Sequence, residues 1–548
     1  MRFVSLPLLL ALSIAATACG GASGAGSGSS GELASVHDAI PADAAWVLVG
    51  RNHPAYIDMT RSQLVQQMSM LSGAELDEAA AWTGIDWSSP DALDATGIDL
   101  EGEFAIFSPS GMPIVLFELD DREAFLDLVA SVEDANPDWG TNYDPWLDFE
   151  DTRSWDLGDG AGIDLGIAGR FAVVRGRIGD ESLDVSDDAV ARSLRGYGSG
   201  ERFVDTDHAE RLRALSPGEV YSYVWLDTAG FDPMVRAVQK ALDVQTTDDA
   251  SCAVSRERLV TTVPGMGAYT TFDADDVYRS TSGWIVRFSA AGAERMRAAF
   301  PPTVAGAMDH ADTAAWAAIG TSDLRALVDL VQADPSTSSC AGVAALPGML
   351  AADLAGYRRT IDYNLEFFDG TFGFGLFDVR MAGFLPFVDA AFVVGSENPT
   401  RLMEETQELI ENNGGRGEVD VDAAMTTLHY DLMHLSITLV KTDSRMVVAV
   451  GEVPAAFTNT LATGTTNGGD SPFGHFVWNG DRVRALLDMG LGYVRDNGVL
   501  QGEQLQALEA SLTQWYRIDR LTVTAGFDGD DLVVTATSDI DPDAAPAP

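Results

Sequence analysis

The sequence predicts an α+β protein made of two tandem, structurally related domains, each a mostly antiparallel sheet with helices packed on one face. Three observations carry this expectation. Apolar strand signals recur in one order along both halves of the chain, the runs between them show helical spacing, and valine-rich segments alternate with turn residues. At 548 residues the chain exceeds what one hydrophobic core can serve, so two or more domains are expected.

The first element is an address. Met1 to Ala18 carries a single positive charge at Arg2, an apolar run from Phe3 to about Ala16, and then small residues. That order reads as a secretory signal, and the run is short for a membrane-spanning helix. Its end, Ala16, Thr17, Ala18, Cys19, resembles the lipobox of bacterial lipoproteins, although the family prefers a branched aliphatic residue at the place of Ala16. The resemblance implies cleavage before Cys19, acylation of its thiol and a lipid bilayer as partner. An ordinary secretory signal with an incidental cysteine is the alternative. Gly20 to Gly31 is almost wholly Gly, Ser and Ala, which cannot build a core and behaves as a tether. In lipoproteins of Gram-negative bacteria an aspartate after the cysteine retains the protein at the inner membrane. Gly20 stands there instead, so the resemblance favours the outer membrane within the cell envelope.

Behind the tether come the repeats. Trp46 to Val49 answers to Trp316 to Ile319, and GEFAIF from Gly102 to GTFGFGLF from Gly370. The segment from Pro113 answers to that from Pro386, and RFAVVRG from Arg170 to RMVVAVG from Arg445. YSYVWLD from Tyr221 answers to HFVWNG from His475, and the hairpin-like stretch Tyr269 to Ser289 to Leu521 to Ser538. Phe125, Leu128, Val129 and Val132 fall on one helical face, as do Leu324, Leu327, Val328 and Val331. The expected boundaries are a signal peptide at 1–18, a lipidated tether at 19–31, domains at 32–300 and 301–540, and a disordered tail at 541–548. Met381 to Gly395, broken by Pro386 and Asp389, reads as a buried strand. This plan behind a lipoprotein signal is similar to a family of bacterial exported proteins of unknown function, which supplies no catalytic residues to carry over.

Charge and motifs narrow the function. With 83 Asp and Glu against 34 Lys and Arg, the formal net charge of −49 repels phosphate backbones, so no nucleic-acid partner is expected. The folded region lacks GxSxG, HExxH, a P-loop and GxGxxG, so the common motif-bearing enzyme classes lose ground. The histidines, at 37, 53, 208, 310, 429, 434 and 475, show no metal spacing beyond His429 and His434, and a strand there would point those two to opposite faces. No catalytic residue, metal or cofactor is therefore expected. Thr438 to Lys441 reads as a strand, and the cluster Gly158, Gly160 and Gly162 as a hairpin turn.

Two features remain. Cys252 and Cys340 form an even pair in an oxidising compartment and suggest either a disulfide between the two copies or two separate buried thiols. Trp139, Tyr143, Trp146, Phe149 and Trp155, interleaved with aspartates, form either a contact surface for a sugar, a cationic ligand or an envelope protein, or a loop packing its own rings on the core. The function expected is a membrane-anchored envelope lipoprotein acting as a non-enzymatic binding or structural module. An envelope hydrolase with an unrecognised site and a carrier of an apolar ligand are the rivals.

Overall fold

A computed structural model describes, apart from short gaps and isolated residues, positions 35–51, 96–109, 112–216, 220–300, 313–321, 335–349 and 370–541. The protein is α+β, with antiparallel strand pairing and ten helices among these residues. It divides into two compact units. Unit 1 runs to residue 277 and takes in 281–284 and 339–345, while unit 2 holds 278–280, 285–338 and 346–548. The division thus falls ahead of residue 300, and a short piece of the later chain belongs to the earlier unit.

In unit 1 the strands are β1 (Trp46–Arg51), β2 (Glu103–Ser108), β3 (Ile114–Glu118), β4 (Gly140–Asn142), β5 (Asp151–Gly158), β6 (Ala161–Ala168), β7 (Phe171–Ile178), β8 (Val220–Asp227) and β9 (Gly265–Phe272). Their order across the sheet is β4-β5-β6-β7-β3-β2-β1-β8-β9. Strand β10 (Arg279–Arg287) is divided between the units. Unit 2 has β11 (Ala315–Thr321), β12 (Gly370–Ala382), β13 (Leu385–Gly395), β14 (Arg416–Val421), β15 (Thr426–Leu432), β16 (Leu435–Lys441), β17 (Arg445–Val450), β18 (Gly474–Asn479), β19 (Ile518–Asp528) and β20 (Asp531–Ile540). These run β14-β15-β16-β17-β13-β12-β11-β18-β19-β20. The segment Met381 to Gly395 takes in the last two residues of β12 and all of β13, which pair with each other, rather than a single strand.

Helices α1 (Arg122–Ala135), α2 (Asp187–Arg195), α3 (Asp207–Leu215), α4 (Thr228–Ala241) and α5 (Ala250–Thr262) belong to unit 1. Unit 2 carries α6 (Ala290–Ala299), α7 (Pro399–Asn412), α8 (Ala455–Thr463), α9 (Gly480–Asp496) and α10 (Glu503–Tyr516). Helix starts follow local chemistry: Asp121, Ser186, Thr206, Asp249, Ser289 and Asn398 each accept a backbone N–H of the first turn through the side chain.

The helices cover both faces of each sheet, which corrects the expectation of one covered face. In unit 1, call face A the side bearing Phe104, Ile106, Phe117 and Leu165. Phe125 of α1 packs there against Phe117, with ring centroids 5.6 Å apart, and Trp46 donates to Met234 of α4 on the same side. Face B takes α3, whose His208 stacks on Trp225 at 4.3 Å, and the loop leading into α2. In unit 2, Met403 and Ile410 of α7 cover one end of face A, while Phe457 and Leu461 of α8 cover Trp316, Val393 and Val447 on face B. The reason is legible in the strands themselves. Segments such as WVLVG and EFAIF are apolar without alternation, as strands buried on both sides are.

The register of the repeats also needs correction. Ala45 donates to Ser108 O and accepts from Asp227 N, and Ala314 makes the same two bonds with Leu376 and Asn479. Ala45 therefore answers to Ala314, and Trp46 answers to Ala315 rather than to Trp316. By the same pairings Leu226 answers to Trp478, and Ala172, opposite Phe117, answers to Met446, opposite Val394. Matching like with like slips these strands by one residue, and one residue turns every side chain to the other face.

Candidate functional site

Cys19 and the tether lie outside the described residues, and so do Tyr143, Trp146, His53, His310, His434 and the run from Leu324 to Val331. No helix among the described residues is long and apolar enough to cross a membrane.

The described members of the aromatic stretch, Trp139, Phe149 and Trp155, do not gather into one surface. Trp155 on β5 is buried on face A, donates to Glu133 of α1 at 3.1 Å and meets Trp139 edge-on at 6.4 Å, both rings belonging to the core under α1. Phe149 lies on the opposite face, over Gly166, where an added Cβ would meet its ring at 2.5 Å. These rings lie on opposite faces of the sheet, so their closeness in sequence does not bring them together.

The cysteines are joined: Cys252 and Cys340 form a disulfide, both residues 1% exposed. Both sulfurs lie within unit 1, because residues 339–345 are built into it. The bridge thus fixes a segment inside one unit instead of stapling the cores of two copies. Closing a loop with a sequence separation of 88 stabilises by about 4–5 kcal/mol at most on chain-entropy grounds.

A partly exposed apolar surface lies on face A of unit 2, and sequence reasoning missed it. Strands β13, β12, β11, β18 and β19 turn Phe392, Phe374, Ala317, Phe476 and Val523 to this face on one row. The next row carries Val394, Phe372 and Ile319, of which Phe372 is 45% and Ile319 40% exposed. On the other side of the first row stand Leu376, Ala315 and Trp478, the last tilted against Trp515 of α10 at 5.4 Å. None of the residues just named is charged; the first charged side chain on the row of Val394 is Lys441, two strands beyond it past Met446.

Backbone glycines create the arrangement. Gly373 and Gly375 sit on face B beneath Trp316, where an added Cβ would meet the indole at 2.9 Å. The alternation Gly-Phe-Gly-Leu therefore lets Trp316 lie against β12 on one side and sends Phe372, Phe374 and Leu376 to the other. The GFGLF string was a readable signal for this, since glycine within a strand marks close approach.

Titratable groups cluster elsewhere in unit 1. His37, in the 3-10 turn Val36–Ala39, stacks on Tyr223 and shares a hydrogen bond of 3.1 Å with its hydroxyl. Burial holds the His37 pKa below the ordinary histidine value against the opposing fields of Glu103 and Asp38, and burial pushes the Tyr223 hydroxyl up. Glu103 accepts from Ser35 Oγ at 2.7 Å and from Val36 N at 3.1 Å, which seats the turn on β2. A second network joins Asp164 to Arg175 and Arg177, with Arg175 also reaching Asp187 and Val185 O, so charges balance and the chain before α2 is pinned to the sheet. Both networks tie loops to strands. Among the described residues, no group of three or more His, Cys, Asp or Glu is placed to hold a metal ion.

No protein-family model matches the chain. No curated protein matches it either. Among solved structures, it is similar to one titled "Structure of crystal form I of TP0453", at 9% sequence identity over 46% of this chain and 78% of that chain, with a TM-score of 0.23. Agreement at that level shows neither fold nor function.

Proposed function

We propose that this chain is an exported lipoprotein, cut before Cys19, acylated there and held to the cell envelope, with the outer membrane favoured, and that its two units are tandem related domains forming a non-enzymatic binding module. The order signal, Cys19 and Gly/Ser tether supports the anchor. The common strand order of the two units and the matching bonds of Ala45 and Ala314 support the relationship between domains. The observation that carries the binding role is the apolar stretch of face A in unit 2, where Ile319 and Phe372 stand partly in water. Single exposed apolar residues are ordinary, whereas an adjacent pair backed by further aromatic rows is a recognition feature.

The same face favours an apolar ligand as a second reading, with the module acting as a carrier. Both readings are tested with the full-length chain in a lipoprotein-exporting host. Labelling with palmitate should mark the wild type and leave Cys19→Ala unmarked and released from the membrane fraction. A Cys19→Ala variant that loses label yet stays in the membrane fraction would contradict anchoring. Capture of an envelope protein, or co-purification of an apolar molecule, should fall in Phe372→Asp. Unchanged capture and unchanged co-purification in that variant would remove the face from the binding role.

A further inference from the structure

The helical hairpin α4–α5 of unit 1 holds residues 339–345 by more than a disulfide. Asp232 on α4 accepts from Val343 N at 2.8 Å, and Gln239 two turns further on accepts from Gly342 N at 2.7 Å. Ser255 on α5 donates to Ala344 O at 2.9 Å. In the loop between the helices, Thr247 N donates to Ser339 O at 2.8 Å, and Ala341 N donates to Thr247 O at 2.9 Å, making a parallel bridge beside Cys340. Side chains of the hairpin thus read the main chain of the segment at successive residues.

The fit is shaped for small residues. Gly342 has φ +71°, and a Cβ there would stand 2.0 Å from Asp232 Oδ1, so only glycine fits. Val343 and Ala344 are buried, and Ala344 and Ala345 pack on the two cysteines. Asp232, itself buried, is held in place by Arg256, whose Nε lies 3.0 Å away as an ion pair. Arg256 also reaches Asp248 at 3.0 Å, and the hydrogen bond from Arg256 holds the Asp248 carboxyl below its ordinary pKa.

We infer that the α4–α5 hairpin is a peptide-docking seat for a small-residue, glycine-centred strand, that its occupant is this chain's own segment Ser339 to Ala345, and that docking precedes and directs the closure of Cys252 onto Cys340. The seat does not depend on the anchor or the apolar face. Each backbone contact aligns the segment without using sulfur, so the two thiols meet because the seat holds them together. Closure then needs an oxidant of the disulfide class. Both thiols give up their protons, one sulfur–sulfur bond forms, and the two electrons released reduce the oxidant's disulfide to two thiols.

Two measurements on the full chain test this. In the first, amide hydrogen exchange of Gly342 and Val343 is compared between wild type and Cys252→Ser/Cys340→Ser, with the β8–β9 amides as the control for folding. Protection at the two sites should persist to within about tenfold, since the hydrogen bonds remain. Loss of protection across 339–345 with β8–β9 still protected would overturn the inference. In the second, the reduced folded protein is oxidised with glutathione disulfide. Asp232→Asn and Gly342→Ala should each slow formation of the bridge by about tenfold or more. Asp232→Asn keeps the side chain's shape and covers the case in which the glycine variant does not fold. Formation at the wild-type rate in a folded variant would show that the seat does not direct the bond.

Discussion

Phe104 of unit 1 and Phe372 of unit 2 hold the same place in their sheets, yet one is 8% exposed and the other 45%. The neighbour across the ladder explains the difference. Phe104 pairs with Gly50, and its ring closes over that glycine, where an added Cβ would meet Cζ at 3.0 Å. Phe372 pairs instead with Ile319, a side chain where unit 1 has none, and both residues stand exposed. One glycine therefore decides whether the row is a sealed core or an open surface. The units share a strand plan and diverge at the place where unit 2 meets solvent.

The tryptophans teach the same lesson in the cores. On face B the pair is Val47 with Trp225 in unit 1 and Trp316 with Val477 in unit 2, so the large ring has moved to the adjacent strand. Its glycines have moved with it. Trp225 lies over Gly265 and Gly267 of β9, whereas Trp316 lies over Gly373 and Gly375 of β12. Volume is conserved at the rung while the clearance follows the indole.

The largest effect is expected at these rings. Trp225→Ala and Trp316→Ala should each cost about 3–5 kcal/mol, read from chemical denaturation of the affected unit. Gly375→Ala should cost a substantial part of that, because its Cβ would press on the Trp316 ring at 2.9 Å and on Phe457 at 3.2 Å. In Trp316→Val the same glycine substitution should cost less. Equal costs in the two backgrounds would break the link between ring and glycine.

An intermediate effect is expected from exchanging the deciding residue. Gly50→Ile should lift Phe104 and destabilise unit 1 by about 1–3 kcal/mol through overpacking, while raising binding of an apolar dye. Ile319→Gly should let Phe372 settle and lower dye binding. Dye binding that ignores both changes would mean that the exposed pair is not the accessible apolar surface.

Much of the strand plan was legible because apolar segments and turn residues repeat in order, and the hairpin at Gly158 and Gly162 formed as its glycines predict. Register was not legible, since alignment rewards identical tryptophans and the cores conserve summed volume across a rung instead. The cysteine pairing was one of two readings the sequence left open, and its seat depends on Asp232, Gln239 and Ser255, whose partners are main-chain atoms about a hundred residues away and leave no pattern in composition. The exposed face was hidden for a related reason. Phe372 and Phe104 read alike in GTFGFGLF and GEFAIF, and the residue that separates them lies on another strand.

The smallest effect concerns the 3-10 turn that carries His37 in unit 1. Tyr223, beneath His37, answers to His475 of unit 2, so the two units place different titratable groups at one position. Folding holds the His37 pKa below its unfolded value near 6.5, chiefly by burial. Above that value the ring is neutral in both states and contributes no pH dependence. As pH falls below it, the unfolded chain gains a proton that the folded chain refuses, and stability is lost until the folded pKa is reached. Denaturation of the wild type should therefore show falling stability from pH 7 downward, ahead of the carboxylates, and His37→Gln should flatten that slope. The turn is also framed by Glu103, Asp38, Arg202 and Arg213, whose fields act on the ring from both signs. An identical slope in the variant would place the proton uptake elsewhere than His37.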